Sequence, residues 1–242
     1  MSFYWYAALF AAPFTGGIMG FFLNRGKESF TKLLLAFSGS FLLSLSILVL
    51  MPHVFSGHDS EFAGMFVLAG FLLQVFLDFF TKGADHGHYH PDEKKHSHRI
   101  PVSLIAALSI HSFIEGIPIG TGAYHNAGFG TAMITGIALH EVPAAFVLVS
   151  VLRANHLNNK IVFPLMVLYA SMSLIGALVG SQFDGLNEES LHYILALVIG
   201  SFLHISTTIL FESSENHRFN RMKLTAILIG IVVGLLNLLV HH

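Results

Sequence analysis

Apolar residues along this chain fall into eight runs of about twenty, and polar positions gather between them. A bilayer core of roughly 30 Å takes about 20 apolar residues to cross as a helix. The runs over 4–23, 33–52, 62–80, 102–123, 129–152, 161–180, 192–211 and 223–240 meet that length. They predict an all-α, polytopic membrane protein of eight transmembrane helices in a single domain, 1–242. The first run lacks a preceding basic stretch and is followed by Arg25 and Lys27, the reverse of a secretory signal peptide, so it is expected to remain as a span. Small residues recur at four-residue spacing in Gly16/Gly20, Gly116/Gly120, Gly176/Gly180 and Gly230/Gly234, a pattern that lets helix backbones approach closely in lipid. Spans 1 and 6 share it, which suits an inverted repeat of spans 1–3 and 6–8 around spans 4–5.

Composition agrees with this pattern: 54% of the residues are hydrophobic and 11% charged, against about 25% charged in a soluble domain. The placement of charge adds an orientation. Arg25, Lys27 and Lys32 lie between spans 1 and 2, Lys82, Lys94, Lys95 and Arg99 between 3 and 4, Arg153 and Lys160 between 5 and 6, and Arg218, Arg221 and Lys223 between 7 and 8. These are all twelve basic residues, and with eight spans they share one side. The positive-inside rule then puts those connections in the cytoplasm and both termini outside, in a plasma (inner) membrane. No polybasic cluster is present to recruit nucleic acid, and the bilayer is the expected surrounding, with a homodimer compatible with it. With no cysteine, a metal site would have to use His, carboxylate or other oxygen donors, or Met. The connection 81–100, with His86, His88, His90, His96 and His98, lacks apolar periodicity and is expected to be a mobile cytoplasmic loop that captures or senses metal. His241 and His242 are given no role.

Within the apolar runs, four ionisable residues stand out. His111 and Glu115 in span 4 are at i and i+4, hence on one helix face. His140 and Glu141 in span 5 are adjacent, about 100° apart around the helix, so one can ligate while the other orients it or faces a neighbouring site. A charged side chain at mid-membrane costs roughly 2.5–3.5 kcal/mol and so marks a functional site. No Lys or Arg lies in these two spans to neutralise them, which leaves protonation or a bound cation. Two His and two Glu suit zinc, and also cadmium, iron(II) or manganese. Pro118 and Pro143 follow closely and would bend the helices and free carbonyls there. His204 in span 7, with Asp78 and Glu212 near the cytoplasmic ends of spans 3 and 7, are further candidates for the ion path, Glu212 being placed against the helix dipole. His53, His58, Asp59 and Glu61 crowd the outer mouth. No P-loop pattern supports direct ATP drive.

These features resemble the ZIP family of divalent metal transporters. The resemblance rests on His111-Ser112-Phe113-Ile114-Glu115-Gly116 in span 4 and His140-Glu141-Val142-Pro143 in span 5. Leu50-Met51-Pro52-His53, Gly200-Ser201-Phe202-Leu203-His204, the topology and the His-rich connection extend it over the whole chain. It implies import of a divalent metal, zinc first, with no resident cofactor and no enzymatic activity. It also implies a main site of His111, Glu115 and His140, with Glu141 as a fourth ligand or proton acceptor. Ser112, a weaker candidate ligand, replaces the family's usual Asn; Ala144 stands where a ligand is frequent; and span 6 has Tyr169-Ala170-Ser171-Met172-Ser173 and no carboxylate. These departures argue for one principal metal instead of two. The rival from another class is a zinc-dependent intramembrane hydrolase, whose familiar His-Glu-x-x-His would need a second His at Ala144.

Overall fold

A computed structural model of the chain describes residues 3–23, 28–56, 60–81, 100–121, 127–183, 187–212 and 221–241. Within these the regular structure is helical throughout: α1 (Phe3–Phe22), α2 (Glu28–Leu45), α3 (Met51–Phe55), α4 (Ser60–Thr81), α5 (Val102–Gly120), α6 (Ala127–Ala154), α7 (Asn159–Ala170), α8 (Met172–Gly180), α9 (Glu188–Glu212) and α10 (Arg221–His241). A π-helical turn, Ser46–Leu50, joins α2 to α3. Eight stretches are long and apolar enough to cross a membrane, as the hydrophobic runs predict. The first of these is α1, the second α2 through α3, the sixth α7 with α8, and the others are single helices. The histidine-rich residues 86–98 lie outside the described residues.

Two spans are less regular than an apolar run suggests. In the second, the Met51 N–H reaches back five residues to the Ser46 carbonyl, one residue before Pro52. Proline supplies no N–H and crowds the carbonyl four residues earlier, and one wide turn accommodates both while the span continues. The sixth breaks at Ser171, whose hydroxyl bonds the Val167 carbonyl at 2.8 Å and whose N–H is shared among the carbonyls of Val167 and Leu168. By contrast α5 and α6 run uninterrupted through Pro118 and Pro143, so each proline lies within a continuous helix.

The most extensive helix contacts fall in pairs: α1 with α6, α5 with α8, α4 with α9 and α2 with α10. Secondary contacts tie α1 and α6 to α7, and α2 to α9; the two resulting sets meet where α2 touches α6 and α4 touches α5. Glycine makes the closest crossings. A Cβ on Gly116 would lie 2.0 Å from the Ser173 carbonyl oxygen, and one on Gly176 2.0 Å from that of Phe113. The four-residue glycine pairs of α5 and α8 thus interlock backbone to backbone. In lipid, such contact substitutes for the missing hydrophobic drive between helices, and here it holds α5, the helix carrying His111 and Glu115, at a set depth.

Gly176→Ala is therefore expected to lower the melting temperature of the detergent-solubilised protein, overpacking of this kind costing about 1–3 kcal/mol. Gly64 has no atom within 4 Å of a built Cβ; Gly64→Ala should leave stability unchanged or slightly raised, since Ala favours helix. Differential scanning fluorimetry of both variants checks the contrast, and equal effects would show that close approach is not what binds α5 to α8.

Candidate metal centre

Helices α5 and α6 bring three side chains to one point. His111 Nε2 lies 2.8 Å from Glu115 Oε1, His140 Nε2 lies 3.2 Å from Glu115 Oε2, and the two Nε2 atoms are 3.2 Å apart. One turn of helix stacks His111 above Glu115, and the carboxylate spans across to α6. Glu115 is fully buried and each imidazole is 4% exposed. Among the described residues, these three form the one group of three His or carboxylate side chains whose ligand atoms all lie within 4.8 Å of one another.

The spacing suits a small divalent cation. On a tetrahedral zinc with bonds of about 2.05 Å, two ligand atoms are roughly 3.3 Å apart, close to the 2.8 and 3.2 Å edges found here. Both Glu115 oxygens are buried without a hydrogen bond of proper geometry. Their short approaches to the imidazoles are thus those of converging donors, and a buried carboxylate left so is costly unless a cation shares it.

Glu141 is turned elsewhere. It is fully buried, and the Ser112 hydroxyl of α5 donates to its Oε1 at 2.6 Å. Ser173 of α8 lies within hydrogen-bonding reach of the same carboxylate and 3.2 Å from the Leu9 carbonyl. Tyr169, also fully buried, carries a hydroxyl without a hydrogen-bond partner in this region. The 100° between adjacent helix positions thus separates His140 from Glu141: one joins the three-donor group, the other a hydroxyl-lined pocket between α5, α6 and α8.

The remaining candidates divide. His204 Nδ1 pairs with Asp78 Oδ2 at 3.2 Å, away from the three donors. Gln74, which no motif points to, and Ser201, which the span-7 motif includes without a role, link the two groups. Ser201 Oγ is 3.3 Å from His111 Nδ1 and 3.2 Å from Gln74 Oε1, and Gln74 Nε2 is 3.5 Å from Asp78 Oδ1. The available signal is a polar residue inside an apolar span at helical spacing from an ionisable one: Gln74 four before Asp78, Ser201 three before His204. Glu212 is described only as the last residue of α9. His53 packs against the rings of Phe129 and His192, with centroids 4.2 and 5.3 Å away; Glu61 is exposed in the first turn of α4; His58 and Asp59 lie outside the described residues.

A small cavity borders His111 and His140, walled by Leu35, Ser38, Gln74, Leu108, Ala144, Ile205 and Ile209. Ala144, one turn after His140, gives it only a methyl group. Leu35 is three residues from Lys32 and Ile209 three from Glu212, so the cavity lies between the two histidines and the end of the bundle that bears the basic connections.

The chain is similar to known proteins. A family model described as ZIP zinc transporter matches residues 88–237, which include every residue of the three-donor group. An uncharacterized protein of Methanocaldococcus jannaschii is 26% identical over 209 residues, 81% of this chain and 82% of that protein.

Ser112→Ala would leave the buried Glu141 carboxylate without its 2.6 Å donor and is expected to cost about 1–3 kcal/mol. Ser109 on the same helix has a buried hydroxyl with no partner, so Ser109→Ala should not destabilise. Thermal melts of the two variants test the assignment, and a melt of Ser112→Ala like that of the parent would refute it.

Proposed function

The chain belongs to the ZIP zinc transporter family, and from that premise we propose that it carries a divalent cation, zinc first, across the membrane toward the cytoplasm. His111, Glu115 and His140 would hold the ion in transit. The observation that supports this most directly is the convergence of two imidazole nitrogens and a fully buried carboxylate at edges near those of a tetrahedral zinc shell. Cadmium, iron(II) and manganese fit the same donors less selectively, because imidazole and carboxylate serve several first-row ions.

Charge bookkeeping favours a divalent cargo. With neutral imidazoles and both carboxyl groups deprotonated, Glu115 and Glu141 would supply two negative charges in a buried site, and one divalent ion would balance them. Glu141, held by Ser112, acts as the counter-charge beside the ligands, in a position where a second metal would meet mainly hydroxyls. Import is the direction that the family resemblance implies, and the basic connections at the cavity end support a cytoplasmic exit there by the positive-inside rule. The ion reaches the donors from the end of the bundle where His53 and His192 face each other, exchanges water for them, and leaves along the cavity. The histidines of 81–100 would meet the ion as it emerges.

Zinc flux into proteoliposomes tests the proposal. Glu115→Ala and His140→Ala are each expected to reduce uptake at least about 100-fold, the upper end of what loss of even a supporting residue costs a metal site, with insertion and elution profile unchanged. Wild-type uptake in both variants would defeat it. Hydrolysis of a lipid amide by the purified protein without any metal flux would favour the zinc hydrolase instead.

A further inference from the structure

The hydrogen-bond chain from Asp78 to His111 has a direction, and the direction can be deduced from donor counting. A carboxylate only accepts, so the side-chain amide of Gln74 must turn its Nε2 to Asp78 Oδ1 (3.5 Å) and its Oε1 to Ser201. That carbonyl oxygen can only accept, so the single Ser201 hydroxyl proton is used on Gln74, at 3.2 Å. Ser201 Oγ then has only lone pairs to offer His111 Nδ1, at 3.3 Å. The imidazole must therefore bear its proton on Nδ1, and Nε2, the atom facing Glu115 and His140, is left with a lone pair. Gln74 is 3% exposed and Ser201 5%.

We propose that Gln74 and Ser201 are positioning residues for the transported metal: anchored by Asp78 on α4, they fix His111 in the Nδ1–H tautomer and keep Nε2 available as a ligand. The proposal rests on the reading of His111 as a ligand. It gives α4 and α9, which supply none of the three donors, a part in setting affinity. His140 draws on its own helix instead, its ring standing by the Gly136 and Ile137 carbonyls. Reversing the chain would present an N–H to the ion, and partners of this outer kind are commonly worth about 10–100-fold in metal affinity.

The test uses the full-length protein in detergent, with zinc ion alone as the probe. Ser201→Ala and Gln74→Met are each expected to weaken zinc binding about 10–100-fold, with stoichiometry kept. Ser206→Ala, which removes another buried hydroxyl of α9, one bonded to the Phe202 carbonyl at 2.7 Å, should leave affinity unchanged. The tautomer is read without metal, from the difference between 15N-histidine spectra of the protein and of His111→Gln at alkaline pH. His111 should show Nδ1–H in the parent and lose that preference in Ser201→Ala. Unchanged affinity in both variants, or an Nε2–H His111 in the parent, overturns the proposal, as does affinity lost with no change of tautomer. Equal zinc binding by the parent and Glu115→Ala would instead strike the metal-site reading, and the relay's role in metal binding with it.

Discussion

A carboxylate inside a lipid-embedded bundle has to be given partners, and much of this architecture follows from giving Glu115 and Glu141 theirs. Neither can reach water from the core, and no cationic side chain lies in their spans. The helices must therefore come close enough for short polar side chains to meet. The interlocked glycines of α5 and α8 allow that approach, and Ser112 and Ser173 then lie near Glu141 while His111 and His140 close on Glu115. Loosening the packing would strand the carboxylates, and removing the carboxylates would take away the reason to hold these particular faces together.

The two acids are partnered differently, and this difference separates their chemistry. Glu115 meets two nitrogen donors and forms a set that suits a small, borderline-soft cation. Glu141 accepts from the Ser112 hydroxyl, which stabilises a charge without competing for the ion. This arrangement matches the departures from the usual family motif at Ser112, Ala144 and span 6. Where a second set of ligands is common, this chain has two serines, a methyl group and a tyrosine.

Much of this was legible in the chain itself. Spans were readable because hydrocarbon thickness imposes one length on every crossing helix. The His111–Glu115 pair was readable because i, i+4 spacing makes two residues neighbours in any α-helix. That His140 and Glu141 would face different surroundings followed from the 100° step, and that His140 would join His111 and Glu115 is what the family resemblance implies. The π turn before Pro52 and the break at Ser171 were not readable, because hydropathy averages over a run and both interruptions lie inside runs that are apolar on average. The role of Gln74 and Ser201 is not readable for a related reason: a lone polar residue in a span acquires meaning only from what faces it across another helix.

What the sequence by itself determined was local or one-dimensional: eight helices of membrane length, the side on which the basic connections gather, and two motifs with ionisable residues at ligand spacing. Each depends on distances along the chain, which the geometry of a helix converts directly into positions. What the tertiary structure decided was partnership. It set His140 against Glu115, Glu141 against Ser112, and His111 at the end of a polar chain that begins at Asp78. These pairs join residues 25 or more positions apart. They depend on how far each helix is rotated and slid against its neighbour, which the summed close packing of the whole bundle settles.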